Sequence, residues 1–110
     1  MKVAVAASGP DLEARVEPRF GRCPYFVVVD SETMQFQALD NPGALAGTGA
    51  GIAAAQLIAD AGAEAVVAGT VGPNALQALE SGGLKLYEAA GGTVREAASA
   101  AAAGQLTQLA

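Results

Sequence analysis

Three of the six basic residues of this chain lie within eight positions, at Arg15, Arg19 and Arg22. The chain as a whole is acidic, with a formal net charge of −5. Guanidinium groups donate several charge-assisted hydrogen bonds to an anion, so this cluster predicts a local anion site. The alternative is that the arginines pair with the carboxylates that lie between positions 11 and 17. The sequence leaves both interpretations open.

The single cysteine, Cys23, lies beside two of these arginines in the stretch PRFGRCPYF, residues 18–26. Iron–sulfur clusters usually take four cysteine ligands and tetrahedral zinc takes cysteine and histidine, but this chain has no histidine. Cys23 therefore cannot build a conventional metal site alone. As a metal ligand it would give one thiolate bond to a preformed cluster, or share a site across a dimer, and Arg22 would lower its pKa. The alternative is a small apolar residue with a structural role.

Two glycine-bearing stretches, GTGAG at 47–51 and GTVGPN at 69–74, each precede a predicted helix. Unpaired amides at helix N-termini attract anions, and glycine lets a ligand approach the backbone. Neither stretch is a Walker loop or a convincing GxGxxG motif. The alternative is that they are turn glycines at strand–helix junctions. As ligand-binding candidates they supply Gly49, Gly51, Gly69, Gly72 and Asn74.

Composition excludes several function classes. An acidic chain is a poor general binder of nucleic acid or of anionic membranes. The predicted strands carry no clustered carboxylates for the Mg²⁺ that nuclease chemistry needs, and no acid–base pair indicates another enzyme. The N-terminal apolar run is shorter than that of a signal peptide, and no run approaches a membrane span. The length predicts one domain, residues 1–110. The single cysteine is typical of a soluble protein in the reducing cytoplasm.

The elements that position these residues follow from periodicity and turn signals. Short apolar or alternating runs predict five strands, and glycine, proline and capping patterns predict three helices. The 8–24 segment reads as a long loop, and Thr48 or Gly49 begins the first helix. The predicted strands are 2–7, 25–30, 34–39, one within 63–70, and 84–87, and the later helices begin near Pro73 and Thr93.

The order β-β-β-α-β-α-β-α predicts an α/β fold with a five-stranded mixed sheet of order 3-2-1-4-5 and about three flanking helices. A ribonuclease H-like arrangement is the natural candidate. In that topology the first strand ends at Ser8, on the edge where the second begins beside Cys23 and where the GTVGPN segment lies. Open sheets commonly bind ligands at the carboxyl ends of parallel strands, so we expect a site at this edge.

Together these segments resemble the dinitrogenase iron–molybdenum cofactor biosynthesis family, which includes NifX and the C-terminal domain of NifB. The carrying stretches are KVAVA, RFGRCPYFVVVD at 19–30, GAGIAAAQLIADAGAEAVVAG at 49–69, GPNALQAL at 72–79 and GLKLYEA at 83–89. The resemblance covers nearly the whole chain. It implies a ribonuclease H-like fold without nuclease activity and the binding or transport of metal–sulfur clusters.

The resemblance also implies a set of site residues. Arg19, Phe20, Gly21 and Arg22 would line a pocket, opposite Gly69, Gly72 and Asn74, while Cys23 stands where relatives often have alanine. The leading hypothesis is a non-enzymatic carrier of an anionic metal–sulfur cluster, either iron–sulfur or a molybdenum-containing precursor. Its partners would be cluster donor or acceptor proteins, and the chain would be a monomer or homodimer. The alternative is a protein-interaction or regulatory module with a vestigial cluster site.

Overall fold

The computed structural model describes residues 1–41, 50–89 and 91–109, which form a mixed sheet with helices on both faces. The strands are Lys2–Ala7 (β1), Tyr25–Asp30 (β2), Phe36–Asp40 (β3), Ala65–Ala68 (β4), Lys85–Glu88 (β5) and Thr107–Gln108 (β6). The helices are Ala50–Asp60 (α1), Pro73–Ser81 (α2) and Val94–Ala102 (α3). One 3-10 turn, Phe20–Arg22, interrupts the predicted loop at 8–24.

The strand order is β3-β2-β1-β4-β5-β6. The predicted order 3-2-1-4-5 is confirmed for the first five strands, with β2 antiparallel to β1 and with β4 and β5 parallel to it. The predicted count of five strands is wrong, because β6 pairs antiparallel with β5. This strand is two residues long and exposed, so it has neither the length nor the buried face that periodicity detects.

The sheet is buried on both faces, which explains why β1, β2 and β4 are continuous apolar runs. One face packs on α1 and α2 through Phe26, Ile58 and Leu79, and the other packs on α3 through Val5, Val67 and Val94. Small alanine side chains at the contacts let the layers approach closely. The two layers hold the carboxyl ends of β1 and β4 in a fixed position beneath the start of α2.

The helix boundaries follow local signals. Pro73 occupies the first turn of α2, and Gly72 precedes it as the N-cap residue. Thr93 and Glu96 form the predicted capping box, in which the Glu96 amide donates to the Thr93 hydroxyl and the Thr93 amide donates to the Glu96 carboxylate. Gly62 ends the turn after α1 with a φ of +83°, a conformation that favours glycine. The predicted start of α1 at Thr48 or Gly49 lies outside the described residues.

No helix among the described residues is long and apolar enough to cross a membrane.

Candidate functional site

The segment that carries the three clustered arginines, residues 15–22, crosses the carboxyl ends of β1 and β4. We call it the arginine segment. The Glu17 amide donates a hydrogen bond of 2.8 Å to the Ala6 carbonyl, and the Phe20 amide donates one of 3.0 Å to the Thr70 carbonyl. The Thr70 amide in turn donates to the Pro18 carbonyl. These backbone bonds fix the arginine segment against the loop that leads from β4 into α2.

A pocket of about 350 Å³ lies between the arginine segment and the first turns of α1 and α2. It is at the sheet edge where the topology predicts a site. Seven of the predicted site residues line it, and four further lining residues were missed. The lining consists of Arg19, Phe20, Gly21, Arg22, Gly51, Ile52, Thr70, Gly72, Pro73, Asn74 and Ala75.

The missed lining residues fall into two kinds. Thr70 and Pro73 lie inside the GTVGPN stretch that the sequence already marks, so the signal was present but only the glycines and Asn74 were taken from it. Ile52 and Ala75 lie in the first turns of α1 and α2, and nothing in their residue type indicates a ligand. Only the packing of the two helices brings them to the pocket.

The pocket is electropositive because its described lining includes two arginines and no acidic side chain. The Arg19 side chain is 72% exposed, and its Nε lies 3.8 Å from a carboxylate oxygen of Glu17. Arg22 is exposed and forms no ion pair with any residue that the structure describes. Among the described residues, Arg19 therefore has a loose carboxylate partner and Arg22 has none. The anion site stays a prediction.

The start of α2 adds backbone donors to this pocket. Gly72, the N-cap residue, has no side chain to accept from the first turn, and Pro73 has no amide. The amides of Asn74 and Ala75 come next, at positions where an α-helix supplies no backbone acceptor. Because these amides also carry the positive end of the helix dipole, the α2 start favours a bound anion on the same side as the two arginines.

Phe20 anchors the arginine segment instead of presenting its ring to a ligand. Only 1% of Phe20 is exposed, and its ring lies 5.1 Å from that of Phe26, tilted by 53°. Tilted aromatic pairs at this spacing are favourable. The buried ring therefore holds Arg19 and Arg22, on either side of it in the chain, at the surface.

Two of the predicted glycines are required by close approach. A methyl group added at Gly69 would lie 2.8 Å from the Pro18 carbonyl oxygen and 2.9 Å from the Pro18 Cα, and one at Gly51 would lie 2.7 Å from the Ala75 Cβ. Gly69 does not line the pocket. Its contribution is to let the arginine segment lie directly on the end of β4.

Cys23 is fully buried and lies outside the pocket lining. Its thiol donates to the Phe20 carbonyl over 3.3 Å. Burial, with a further contribution from the Glu17 carboxylate, raises the pKa of Cys23 to about 12. The expected lowering of this pKa by Arg22 is wrong: burial is the main cause of the shift, and Arg22 is not among the groups that act on the thiol. In this conformation the buried thiol does not reach the pocket surface, so a ligand role requires local opening.

Asn41 is a structural residue that sequence reasoning missed. Only 5% of it is exposed, and its side-chain amide donates to the Cys23 carbonyl over 2.9 Å. The Asn41 backbone amide also donates to the Pro24 carbonyl. Asn41 thus joins the end of β3 to the segment that follows Arg22. A lone asparagine after a strand carries no local signal for this long-range contact.

The remaining predicted residues do not line the pocket or cannot be placed. The Ser8 hydroxyl donates to the Arg15 carbonyl, so Ser8 closes the loop between residues 8 and 15. Arg15 pairs through its backbone with Thr93, near the start of α3. Gly49 lies outside the described residues. The described residues contain no group of three or more histidine, cysteine, aspartate or glutamate side chains that could hold a metal ion.

A second, smaller depression of about 170 Å³ lies at the opposite end of β1. It is lined by Lys2, Val28, Asp30, Gln35, Phe36 and Gln37. Lys2 and Asp30 are paired residues of β1 and β2, so this depression contains charges of both signs. It lacks the excess of cations that the pocket has.

Comparison with known proteins places the chain in a family. The model of the family described as dinitrogenase iron-molybdenum cofactor matches residues 1–104. The chain belongs to this family. An uncharacterized protein of Methanocaldococcus jannaschii is 30% identical over 92 residues, covering 81% of this chain and 75% of the relative.

Two solved structures superpose closely on this chain. The apo form of the orange protein from Desulfovibrio gigas has a TM-score of 0.93 and 43% sequence identity, covering 99% of this chain and 92% of the other. A candidate NifB protein from Thermotoga has a TM-score of 0.84 and 37% identity, covering 98% and 92%. The family of NifX-like and NifB-like proteins that the sequence resembles is thus confirmed.

Proposed function

We propose that this protein is a non-enzymatic carrier of an anionic metal–sulfur cluster or of its molybdenum-containing precursor. The observation that carries the proposal is the pocket. In a member of the iron–molybdenum cofactor family, it combines Arg19, Arg22 and the start of α2 with no acidic side chain in its described lining. Such a pocket attracts a metal-containing anion whether its ligands are sulfur or oxygen atoms. Family membership favours the metal–sulfur class.

The pocket suits a cargo that must be released. Its donors are guanidinium groups and helix-start amides, which bind by charge and hydrogen bonding and form no covalent bond to a metal. Ile52, Pro73 and the Cβ of Ala75 add apolar surface beside those donors. Sulfido ligands are larger and less strongly hydrated than oxo ligands, so they suit this mixed surface. The expected partners are proteins that donate or accept the cargo in the cytoplasm, with this chain as a monomer or homodimer.

The strand order supports a finer assignment of the fold. The first five strands have the order 3-2-1-4-5 with β2 antiparallel to β1 and β3, as in the ribonuclease H-like class. We propose that the fold is of this class with β6 added at one edge. The interior of the sheet is apolar, which fits the absence of nuclease chemistry in the proposal.

Titration with tetrathiomolybdate tests the function directly. This dianion is a simple molybdenum–sulfur species with intense visible absorption, and molybdate is the matched oxygen-ligated control. We expect saturable binding near one equivalent, seen as a shift of the visible spectrum and as molybdenum retained on dialysis, and weaker binding of molybdate. No retention of tetrathiomolybdate, with or without added iron, would overturn the proposal.

A matched pair of variants locates the site. Replacing both Arg19 and Arg22 with alanine removes the cations of the pocket, and we expect at least about tenfold weaker tetrathiomolybdate binding from the lost charge-assisted hydrogen bonds. The control replaces two cations outside the pocket lining, Lys85 and Arg95, with alanine: both are exposed, and Arg95 is paired with Glu13 at 2.8 Å. Equal losses in both proteins would show that overall charge, and not this pocket, controls binding.

A further inference from the structure

Glu17 is an acidic residue whose carboxylate lies beside the pocket without lining it. Its backbone is fixed to β1 by the 2.8 Å hydrogen bond to the Ala6 carbonyl. Its side chain is only 23% exposed, and its carboxylate lies 3.8 Å from the Arg19 Nε and 3.5 Å from the Arg19 amide nitrogen. The mostly buried side chain and the fixed backbone thus hold this carboxylate close to Arg19.

The position of this carboxylate is unfavourable for an anion carrier. A bound anion must share Arg19 with Glu17. It is also repelled by the negative charge of the Glu17 carboxylate, which lies a short distance behind the guanidinium. Toward the protein interior, the same carboxylate lies near enough to the buried Cys23 to oppose ionisation of its thiol. A protein that only needed tight anion binding would gain by having a neutral residue at position 17.

We infer that Glu17 is a built-in competitor for Arg19 that keeps the affinity of the pocket for its anionic cargo low enough for release. This inference rests on the proposed function, since it concerns the same pocket. Glu17 acts through charge alone and is an affinity-tuning residue. It neither contacts the cargo nor supplies a ligand to it.

The mechanism has a signature that a structural role would not produce. The Coulomb energy between a fixed carboxylate and a bound anion is proportional to the charge of the anion. Removing the carboxylate charge therefore strengthens binding of a dianion by the square of the factor by which it strengthens binding of a monoanion of the same size and shape. A change in pocket shape would affect the two anions about equally.

Glu17→Gln is the test variant, because an amide keeps the length of the side chain and an oxygen that can accept from the Arg19 backbone. Glu13→Gln is the matched control: it removes the same charge from an exposed glutamate whose partner is Arg95 on α3. Tetrathiotungstate and tetrathioperrhenate are the probes. They are tetrahedral sulfido anions of nearly equal size, the first a dianion and the second a monoanion.

For Glu17→Gln at low ionic strength we expect about tenfold tighter binding of tetrathiotungstate and about threefold tighter binding of tetrathioperrhenate. Stopped-flow release should slow by about the same factors, because mutational effects on affinity act mainly on dissociation. Glu13→Gln should stay within about twofold of wild type for both probes. The gain should persist when Glu17→Gln is combined with Cys23→Ala, which excludes a newly formed thiolate ligand as its cause.

The outcomes separate this inference from the proposed function. If wild type binds neither probe nor tetrathiomolybdate, the proposed function fails. If wild type binds but Glu17→Gln equals Glu13→Gln, the carrier function stands and the tuning role of Glu17 is overturned. Weaker binding by Glu17→Gln would also overturn it, since the carboxylate would then orient Arg19 for the anion instead of competing with it.

Discussion

At the carboxyl end of β1 the pocket presents Arg19 and Arg22, whereas the depression at the other end of β1 presents Lys2 beside Asp30. Both lie on the same sheet of a chain with a net charge of −5. The two sites differ in the backbone around them. At the pocket, the parallel strands β1 and β4 end beneath the start of α2, whereas the depression lies at the hairpin of the antiparallel strands β2 and β3. Net charge therefore says little about local binding. The chain is acidic, yet two of its arginines line one pocket with no acidic side chain in the described lining.

The largest expected effect on anion binding comes from reversing the charge of one residue in the pocket, compared with the same reversal in the depression at the other end of β1. Arg19→Glu places a carboxylate in the pocket, and we expect tetrathiomolybdate binding to fall about 100-fold or more from lost attraction and added repulsion. Lys2→Glu makes the same change at the opposite end and should alter affinity less than about twofold because that distance is screened. Equilibrium dialysis of both variants measures the contrast, and comparable losses would remove the distinction between the two ends.

The next effect concerns how the arginine segment is held. Gly69→Ala brings a methyl group to within 2.9 Å of two Pro18 backbone atoms, which cannot rotate away. We expect a loss of about 1–3 kcal/mol in the free energy of unfolding, together with weaker anion binding. Urea denaturation measures the first. Gly91 is the matched control, because it is exposed, its φ lies outside the left-handed region and an added methyl group meets no protein atom within 4 Å.

Gly91→Ala should leave the unfolding free energy within about 0.5 kcal/mol of wild type, as for other unstrained surface changes. If Gly69→Ala were equally harmless, the contact with Pro18 would not be what positions Arg19.

The pH dependence of stability tests the buried state of Cys23. The folded pKa is about 12 and the ordinary value is 9.0, so the neutral thiol stabilises the folded state fully below pH 9. As the pH rises from 9 toward 12, the unfolded chain ionises first and this contribution is lost. We expect the wild type to lose about 1 kcal/mol more than Cys23→Ala between pH 8 and pH 10, measured by urea denaturation.

Parallel pH profiles for the two proteins would show that the thiol ionises in the folded state. Rapid reaction of native Cys23 with a thiol reagent at pH 8 would lead to the same conclusion. Either result would restore Cys23 as a candidate ligand and would weaken the contrast between the exposed arginines and the buried cysteine.

The smallest effect is that of salt on the wild type. Arg19 and Arg22 are exposed, so screening should weaken tetrathiomolybdate binding by about three- to tenfold between 0.02 and 0.2 M sodium chloride. Titrations at several ionic strengths measure this slope. Binding that is insensitive to salt would indicate that apolar contacts at Ile52 and Pro73 dominate.

Much of the architecture was predictable because its signals are local. Continuous apolar runs predict the buried strands, and Pro73 and the Thr93–Glu96 capping box predict two helix starts. Strand order followed from element order and the right-handed crossover rule. The strand β6 was not predictable, since two exposed residues next to the edge of a sheet have no periodicity of their own.

The candidate site was predictable in position but not in roles. Arg19, Arg22, Gly72 and Asn74 were placed in one pocket by topology and resemblance, and the structure brings them together. Their function in binding stays a proposal. The role of Cys23 could not be judged from its neighbours in sequence, because its burial depends on packing against Asn41 and β1, which are distant in the chain.

By itself the sequence determined the family, the order of the first five strands and the clustering of three arginines in an acidic chain. Only the tertiary structure decided which arginines face the pocket, that Glu17 lies behind one of them, and that the cysteine after Arg22 is buried. The physical reason is that composition and periodicity report a residue's local backbone and average environment. Access to solvent and the distance between charges depend instead on contacts that close over long stretches of chain, such as the one between Pro18 and Gly69.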